Sequence, residues 1–253
     1  MMILRKGTFL LAGMLSLHLY AGAAALAVEQ AEPVEIDAVW SEARDGRHEI
    51  FHTMRRGGQW SDPEMVTDDY FDNQQPAIDR DSQGRIWLVW TAYASQRKEL
   101  RYTVGDGGVW QESKPIEVET TTNNAPSLAV DGDNVAWLVW AGNNGGDDDI
   151  YYAFSTNGQW SEPALVHGPN DRVDVLPVLA LASDGRPVVS WQAMVDGNYV
   201  TLSSSYGDGK WSEEEPIAEG DEDEADDGAI EEIALPSFID DNKALFLRLY
   251  HSF

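Results

Sequence analysis

Residues 126–163 read PSLAVDGDNVAWLVWAGNNGGDDDIYYAFSTNGQWSEP. Pro126 leads into SLAV, and the turn Asp131-Gly132-Asp133-Asn134 follows. VAWLVW, a variable loop and IYYAF come next, then the turn Ser155-Thr156-Asn157-Gly158 and WSEPALV. Each run is short and rich in β-branched or aromatic residues. Each is bounded by Gly, Asn, Asp or Ser, which supply turn conformations. The stretch predicts four strands, A to D.

The same unit recurs along the chain. Trp40, Trp90, Trp140 and Trp191 end strand B, with spacings of 50, 50 and 51. Trp60, Trp110, Trp160 and Trp211 open strand D with the same spacings. Pro76, Pro126, Pro177 and Pro236 start strand A, spaced 50, 51 and 59. Three markers that keep one period near 50 predict propeller blades or a similar array. Strand B is apolar on both sides, as in Ile86-Trp87-Leu88-Val89-Trp90. Such a strand is buried on both faces, as blades stacked around an axis require. The fold class expected is all-β, a propeller of four-stranded antiparallel blades. The A–B and C–D turns read as tight, and the B–C and D–A loops as longer and variable. In an up-and-down sheet the variable loops share one end, where function usually sits.

The N-terminus reads as a secretion signal over residues 1–27. Arg5 and Lys6 precede an apolar run from Phe9 to Leu26, and Ala25-Leu26-Ala27 fits a cleavage site. This predicts a bacterial periplasmic or secreted protein whose residues 28–253 form one repeat domain, with no membrane span after cleavage. There is no cysteine, hence no disulfide and no thiol nucleophile. Cleavage would leave 15 basic residues against 44 acidic ones, a formal charge of −29. That balance argues against nucleic acid, which needs clustered Lys and Arg.

Counting strands leaves the ring uneven. Val34–Trp40 aligns with strand B, so the first unit lacks its own A strand. Complete units start at Pro76, Pro126 and Pro177. An acidic insertion, 219–232, holds nine Asp or Glu in fourteen residues and reads as solvated. After it, 236–241 matches strand A and 244–249 matches strand B. Seventeen strands fit four or five blades. Either the C-terminal strand closes the ring, or blades stay incomplete and an open edge recruits another copy.

The unit resembles the repeat of the sialidase-like β-propeller superfamily, including the bacterial BNR or Asp-box proteins. The segments that carry the likeness are Pro76–Gly84 leading to Trp90, and Ile150–Pro163. The usual Asp-box reads S-x-D-x-G-x-T-W; here the turn is shorter and lacks the Asp and Thr. The resemblance implies a propeller that handles glycans. Catalytic members generally have six blades, an Arg-Ile-Pro segment, three arginines for a carboxylate, a Tyr–Glu nucleophile pair and an Asp acid. No Arg-Ile-Pro occurs here and the repeats are too few, so no catalytic residue carries over.

At the variable-loop end the sequence places Arg44, Arg47, Tyr70, Asp72, Tyr93, Arg97, Arg172 and Asp174. Converging arginines would hold a carboxylate through paired hydrogen bonds, and a glycosidase needs two carboxyls or a Tyr variant beside the scissile bond. The bland reading of the same residues is a set of separate surface groups. The strand-B tryptophans would either stack on a sugar or pack between blades. Asp147, Asp148 and Asp149 crowd one B–C loop with hard oxygens that suit Ca2+, without EF-hand spacing. No other cofactor is expected. The function expected is non-catalytic binding of a glycan or a protein partner. The alternatives are an exo-α-sialidase-type glycoside hydrolase and a structural assembly protein. A solvated insertion should matter little to folding: deleting 219–232 is expected to leave the melting temperature within a few degrees, read by circular dichroism. A fall of many degrees would show that it is packed.

Overall fold

The computed structural model describes residues 35–95, 97–156 and 158–217, together with the backbone of 245–250. The signal segment, the acidic insertion and the strand expected at 236–241 lie outside the described residues.

The expected units are four antiparallel sheets. Blade 1 contains β1 (Glu35–Arg44), β2 (Arg47–Arg56), β3 (Gln59–Trp60) and β4 (Glu64–Met65). Blade 2 contains β5 (Asp72–Arg80), β6 (Ile86–Ala94), β7 (Arg97–Asp106), β8 (Val109–Trp110) and β9 (Lys114–Ile116). Blade 3 contains β10 (Thr122–Val130), β11 (Ala136–Asn143), β12 (Asp149–Thr156), β13 (Gln159–Trp160) and β14 (Ala164–Leu165). Blade 4 contains β15 (Asp174–Leu181), β16 (Pro187–Val195), β17 (Asn198–Gly207), β18 (Lys210–Trp211) and β19 (Glu215–Pro216).

Strand D is split in every blade, and the Trp-Ser-x-Pro sequence shows why in blades 1 and 3. Ser61 Oγ accepts the backbone N–H of Met54 at 3.1 Å, and Ser161 Oγ accepts that of Phe154 at 3.1 Å. The hydroxyl takes a donor that would otherwise continue the ladder. Pro63 and Pro163 then have no N–H to resume it. The A–B turns are held by their aspartates. Asp131 accepts N–H groups of Asp133 and Val135 at 3.0 and 2.9 Å, and the Trp137 indole N–H at 2.9 Å. Asp81 does the same for Gln83, Arg85 and Trp87. These are Asx-type turns.

The last described strand, β20 (Leu245–Tyr250), was expected as a strand B. It instead pairs antiparallel with β1, from Glu35 opposite Tyr250 to Trp40 opposite Leu245, in the place of the missing strand A. Strand letters assigned from local pattern do not fix which edge a terminal segment joins. An unpaired β1 edge leaves a row of donors and acceptors that any compatible strand can satisfy.

Successive blades pack face to face. One apolar cluster joins Val39 and Ile50 of blade 1 to Leu88 and Trp90 of blade 2. A second joins Val89 and Leu100 to Leu138 and Trp140. A third joins Val139 and Ile150 to Val189 and Trp191. Among the described residues no such cluster joins blade 4 to blade 1. The four strand-B tryptophans are at most 1% exposed. They are packing residues and offer no face to a sugar. Three strand-D tryptophans pack across the same interfaces: Trp110 meets His52 of blade 1, Trp160 meets Trp87 and Tyr102 of blade 2, and Trp211 meets Tyr152 of blade 3. Trp140→Ala removes a side chain with no exposed surface and should cost about 3–5 kcal/mol in urea denaturation. A cost below about 1 kcal/mol would contradict the packing role.

Candidate functional site

The B–C and D–A connections do share one end, but they are not equally long. Three B–C connections are two-residue turns, at 45–46, 95–96 and 196–197. Asp45-Gly46 and Asp196-Gly197 take positive φ at both residues, 49° and 89°, then 50° and 81°. That conformation matches the twist of the strands it joins, and Asp-Gly favours it. Only blade 3 has a longer B–C loop, 144–148, while the D–A loops cover 66–71, 117–121 and 166–173. The expectation of four long B–C loops is therefore corrected. Arg44 and Arg47 lie opposite each other as the last pair of a hairpin.

Each of the four arginines has its own acceptor. Arg44 meets Glu42 at 2.9 Å and lies 5.3 Å from the Phe51 ring centroid. Arg47 donates to Glu49 at 2.7 Å. Arg97 reaches the Val118 carbonyl at 3.4 Å. Arg172 grips Glu214 with two bonds of 2.8 Å and Asp174 with bonds of 3.0 and 3.3 Å. The Glu214 and Asp174 carboxylates hold its guanidinium above the usual arginine range, against the opposing effect of burial. Among the described residues no two of these arginines share an acceptor. They form no common carboxylate clamp; of the four, Arg172 alone forms an ion pair with another expected residue, Asp174, whose backbone N–H donates to the Asp148 carbonyl at 2.8 Å.

The remaining expected residues are local too. The Lys98 ammonium lies 5.1 Å from the Tyr93 ring centroid. Asp72 accepts the His48 backbone N–H at 2.6 Å, contacts its Nδ1 at 2.7 Å and accepts the Gln74 amide at 2.8 Å. Burial acts to raise its carboxyl. The His48 and Gln74 hydrogen bonds outweigh that, so it sits below the usual carboxylate range.

Two features at this end have chemistry to offer. The first is a groove of about 370 Å³ between the 66–71 loop and the outer strands of blade 2. Tyr70 stands at its side, 81% exposed, its ring centroid 4.1 Å from that of Phe71. The Arg101 guanidinium lies 4.6 Å from the Phe71 centroid and donates to the Ser113 carbonyl and hydroxyl at 3.2 Å. Asp69 of the loop and Glu112 of blade 2 also line the groove, and Asp69 Oδ1 accepts the Phe71 N–H and the Asn73 amide at 2.9 Å.

The second feature is partly buried. Asp149, His167 and Asp174 each present a ligand atom within 4.8 Å of the others, at the junction of blades 3 and 4. The His167 and Asp174 side chains are 3% and 0% exposed. Burial raises the Asp149 carboxyl above its usual range; His167 opposes this, and Asp147, Asp174 and Asp148 add to it. The three aspartates expected to act together are divided. Asp148 Oδ1 accepts from Asn143 at 2.6 Å, while Asp149 turns toward His167.

No protein-family model and no curated protein matches this chain. Solved structures do. A protein of unknown function from Dyadobacter fermentans superposes with a TM-score of 0.56 at 13% identity, over 74% of this chain and 68% of its own. A Hadza microbial sialidase gives 0.57 at 11%, over 71% and 43%. The GH93 α-L-arabinofuranosidase of Fusarium graminearum gives 0.51 at 11%, over 67% and 58%. The chain shares the β-propeller fold of these structures. It spans less than two thirds of either enzyme, and identities this low speak for the fold alone.

Phe71, Arg101 and His167 were not singled out from sequence. The signal for His167 is its register: it stands 100 residues after Thr67, which holds the same position in blade 1. The Asp72 network yields a pH prediction. A depressed carboxyl contributes stability above its unfolded pKa and loses it as pH falls toward the folded value. Asp72→Asn should lower the melting temperature at pH 6, and the gap to the parent should close toward pH 3. A gap that is constant across this range would contradict the assignment.

Proposed function

We propose that this protein is a non-catalytic binding module that takes a glycan in the groove beside Tyr70. The observation that carries the reading is the exposed Tyr70 ring beside Phe71 and the Arg101 guanidinium, with carboxylates lining the groove. An aromatic face suits the C–H face of a sugar, and charged groups around it suit the hydroxyls. A cavity of this size suits a small ligand, whereas a specific protein interface covers about 800 Å² per partner.

Catalysis is the weaker reading. A glycosidase needs two carboxyls placed around a bound bond. The carboxylates that meet at the blade 3–blade 4 junction, Asp149 and Asp174, include a side chain with no exposed surface. Export fits a glycan-binding role and rests on the N-terminal sequence.

Binding to a glycan array, followed by titration with the best hit, tests the proposal. Tyr70→Ala should weaken that binding at least about tenfold, equivalent to 1.4 kcal/mol, with an unchanged melting temperature. No glycan bound, or equal binding by the variant, would overturn the groove assignment. Cleavage of an arrayed glycan would replace binding with hydrolysis.

A further inference from the structure

Position by position, blade 3 repeats the surroundings of a buried carboxylate in blade 1 and reverses their polarity. In blade 1 the carboxylate is Glu49, 2% exposed. Arg47 donates to it at 2.7 Å, Thr67 Oγ1 at 2.6 Å and Asn73 Nδ2 at 3.3 Å. Every neighbour is a donor. One hundred residues later Asp149 replaces Glu49, Asp147 replaces Arg47 and His167 replaces Thr67. Asp174 replaces Asn73 in the next blade, one residue further along, as the 51-residue step requires. The equivalence of His167 and Thr67 is also structural: the Ile50 N–H donates to Thr67 Oγ1, and the Ile150 N–H to His167 Nε2 at 3.2 Å. Three donors have become three groups rich in lone pairs.

The consequence is visible in the hydrogen bonding. Asp149 Oδ1 and Asp147 Oδ2 are shut off from solvent and have no hydrogen-bond partner. The His167 Nδ1 lies 2.8 Å from the Gly168 carbonyl. Asn170 Nδ2 also lies 3.1 Å from Nδ1; the Ile150 N–H on Nε2 places a lone pair there and the ring proton on Nδ1. Nε2 also faces Asp174 Oδ2 at 3.4 Å, and a metal ion on Nε2 would take the lone pair that now accepts the Ile150 N–H. A ring N–H given to a backbone carbonyl, with the other nitrogen turned to carboxylates, is how metal-binding histidines are commonly oriented.

We propose that Asp149, His167 and Asp174 bind a divalent transition-metal ion, Zn2+ by the chemistry of the set, that ties blade 3 to blade 4. One imidazole nitrogen with carboxylate oxygens suits zinc, whereas calcium takes oxygen ligands. Zinc bonds of about 2.0–2.2 Å at tetrahedral angles set ligand atoms about 3.3–3.6 Å apart, so the three groups would move inward and water would take the fourth position. Arg172 and Trp191 hold Asp174 Oδ1 at 3.0 and 2.8 Å, while Oδ2 faces His167 and accepts from Asn170 Nδ2 at 3.1 Å and Arg172 Nη2 at 3.3 Å. The ion would lock the 166–173 loop onto the start of β12.

The test uses the whole protein after chelation and dialysis, with ZnCl2, CaCl2 and MgCl2 compared by calorimetric titration and thermal shift. One equivalent of Zn2+ should bind and raise the melting temperature by several degrees, with Ca2+ and Mg2+ far weaker. Asp149→Asn and His167→Gln should each lose at least tenfold in Zn2+ affinity. Because these variants can be unstable, the double variant Asp147→Arg with His167→Thr copies the donors of blade 1. It should fold without Zn2+ and not respond to it. The proposal is overturned if the parent binds no Zn2+, if Ca2+ acts equally, or if the double variant binds Zn2+ like the parent.

Discussion

Strand B must be covered on both faces, and this requirement sets the geometry of the molecule. Ile86, Leu88 and Trp90 face blade 1, while Trp87 and Val89 face blade 3. A single sheet would leave one of those faces in water, at about 25 cal/mol for each Å² of apolar surface. Stacking the blades removes that cost and forces all B–C and D–A connections to one end. Hydrogen bonds between the A strands hold the register of the stack: the Val130 N–H donates to Asp79 at 2.8 Å, and the Leu179 N–H to Ser127 at 2.9 Å.

The interfaces meet that requirement with different chemistry. Trp87 and Trp137 sit at one position of strand B in blades 2 and 3, where blade 1 has Asp37. Trp87 packs against Tyr102 and Trp160, and Trp137 against Phe154 and Tyr206. Asp37, with no exposed surface, instead meets His52 Nε2 at 2.9 Å and the Arg80 guanidinium. A buried ion pair of this kind contributes less net stability than apolar packing, yet removing one partner is costly because the other charge stays buried. The repeat therefore tolerates polar substitution between blades where partners come from both sides. Blade 3 with blade 4 is the junction where the acceptors outnumber the donors.

Much of this was legible in the sequence. The period, the strand order, the burial of strand B and the A–B turns follow from the spacing of Trp and Pro and from the Asp-Gly punctuation, but strands A and B run three or four residues past the Pro and Trp expected to bound them, to Asp72 and Ala94 in blade 2. Two-residue B–C turns were also legible at Asp45-Gly46 and Asp196-Gly197, since that dipeptide favours the hairpin conformation. The pairing of 245–250 with β1 was not, because it depends on which edge is free at the far end of the chain. Nor was the groove, because Tyr70 and Arg101 are thirty-one residues apart and meet only through Phe71. The arginines read as a set from their shared end. Each has a separate partner, Arg44 and Arg47 on their own strands and Arg97 and Arg172 as far as Val118 and Glu214, a matter of side-chain geometry that spacing does not carry.

The central claim is that a rigid stack presents its ligand chemistry in one groove, beside the 66–71 loop. Hydrogen–deuterium exchange, with and without a glycan found by array screening, tests it most directly. The account predicts slower exchange on binding in 66–71 and 111–113, with blades 3 and 4 unchanged. Protection confined to other loops, or spread evenly over all four blades, would contradict it.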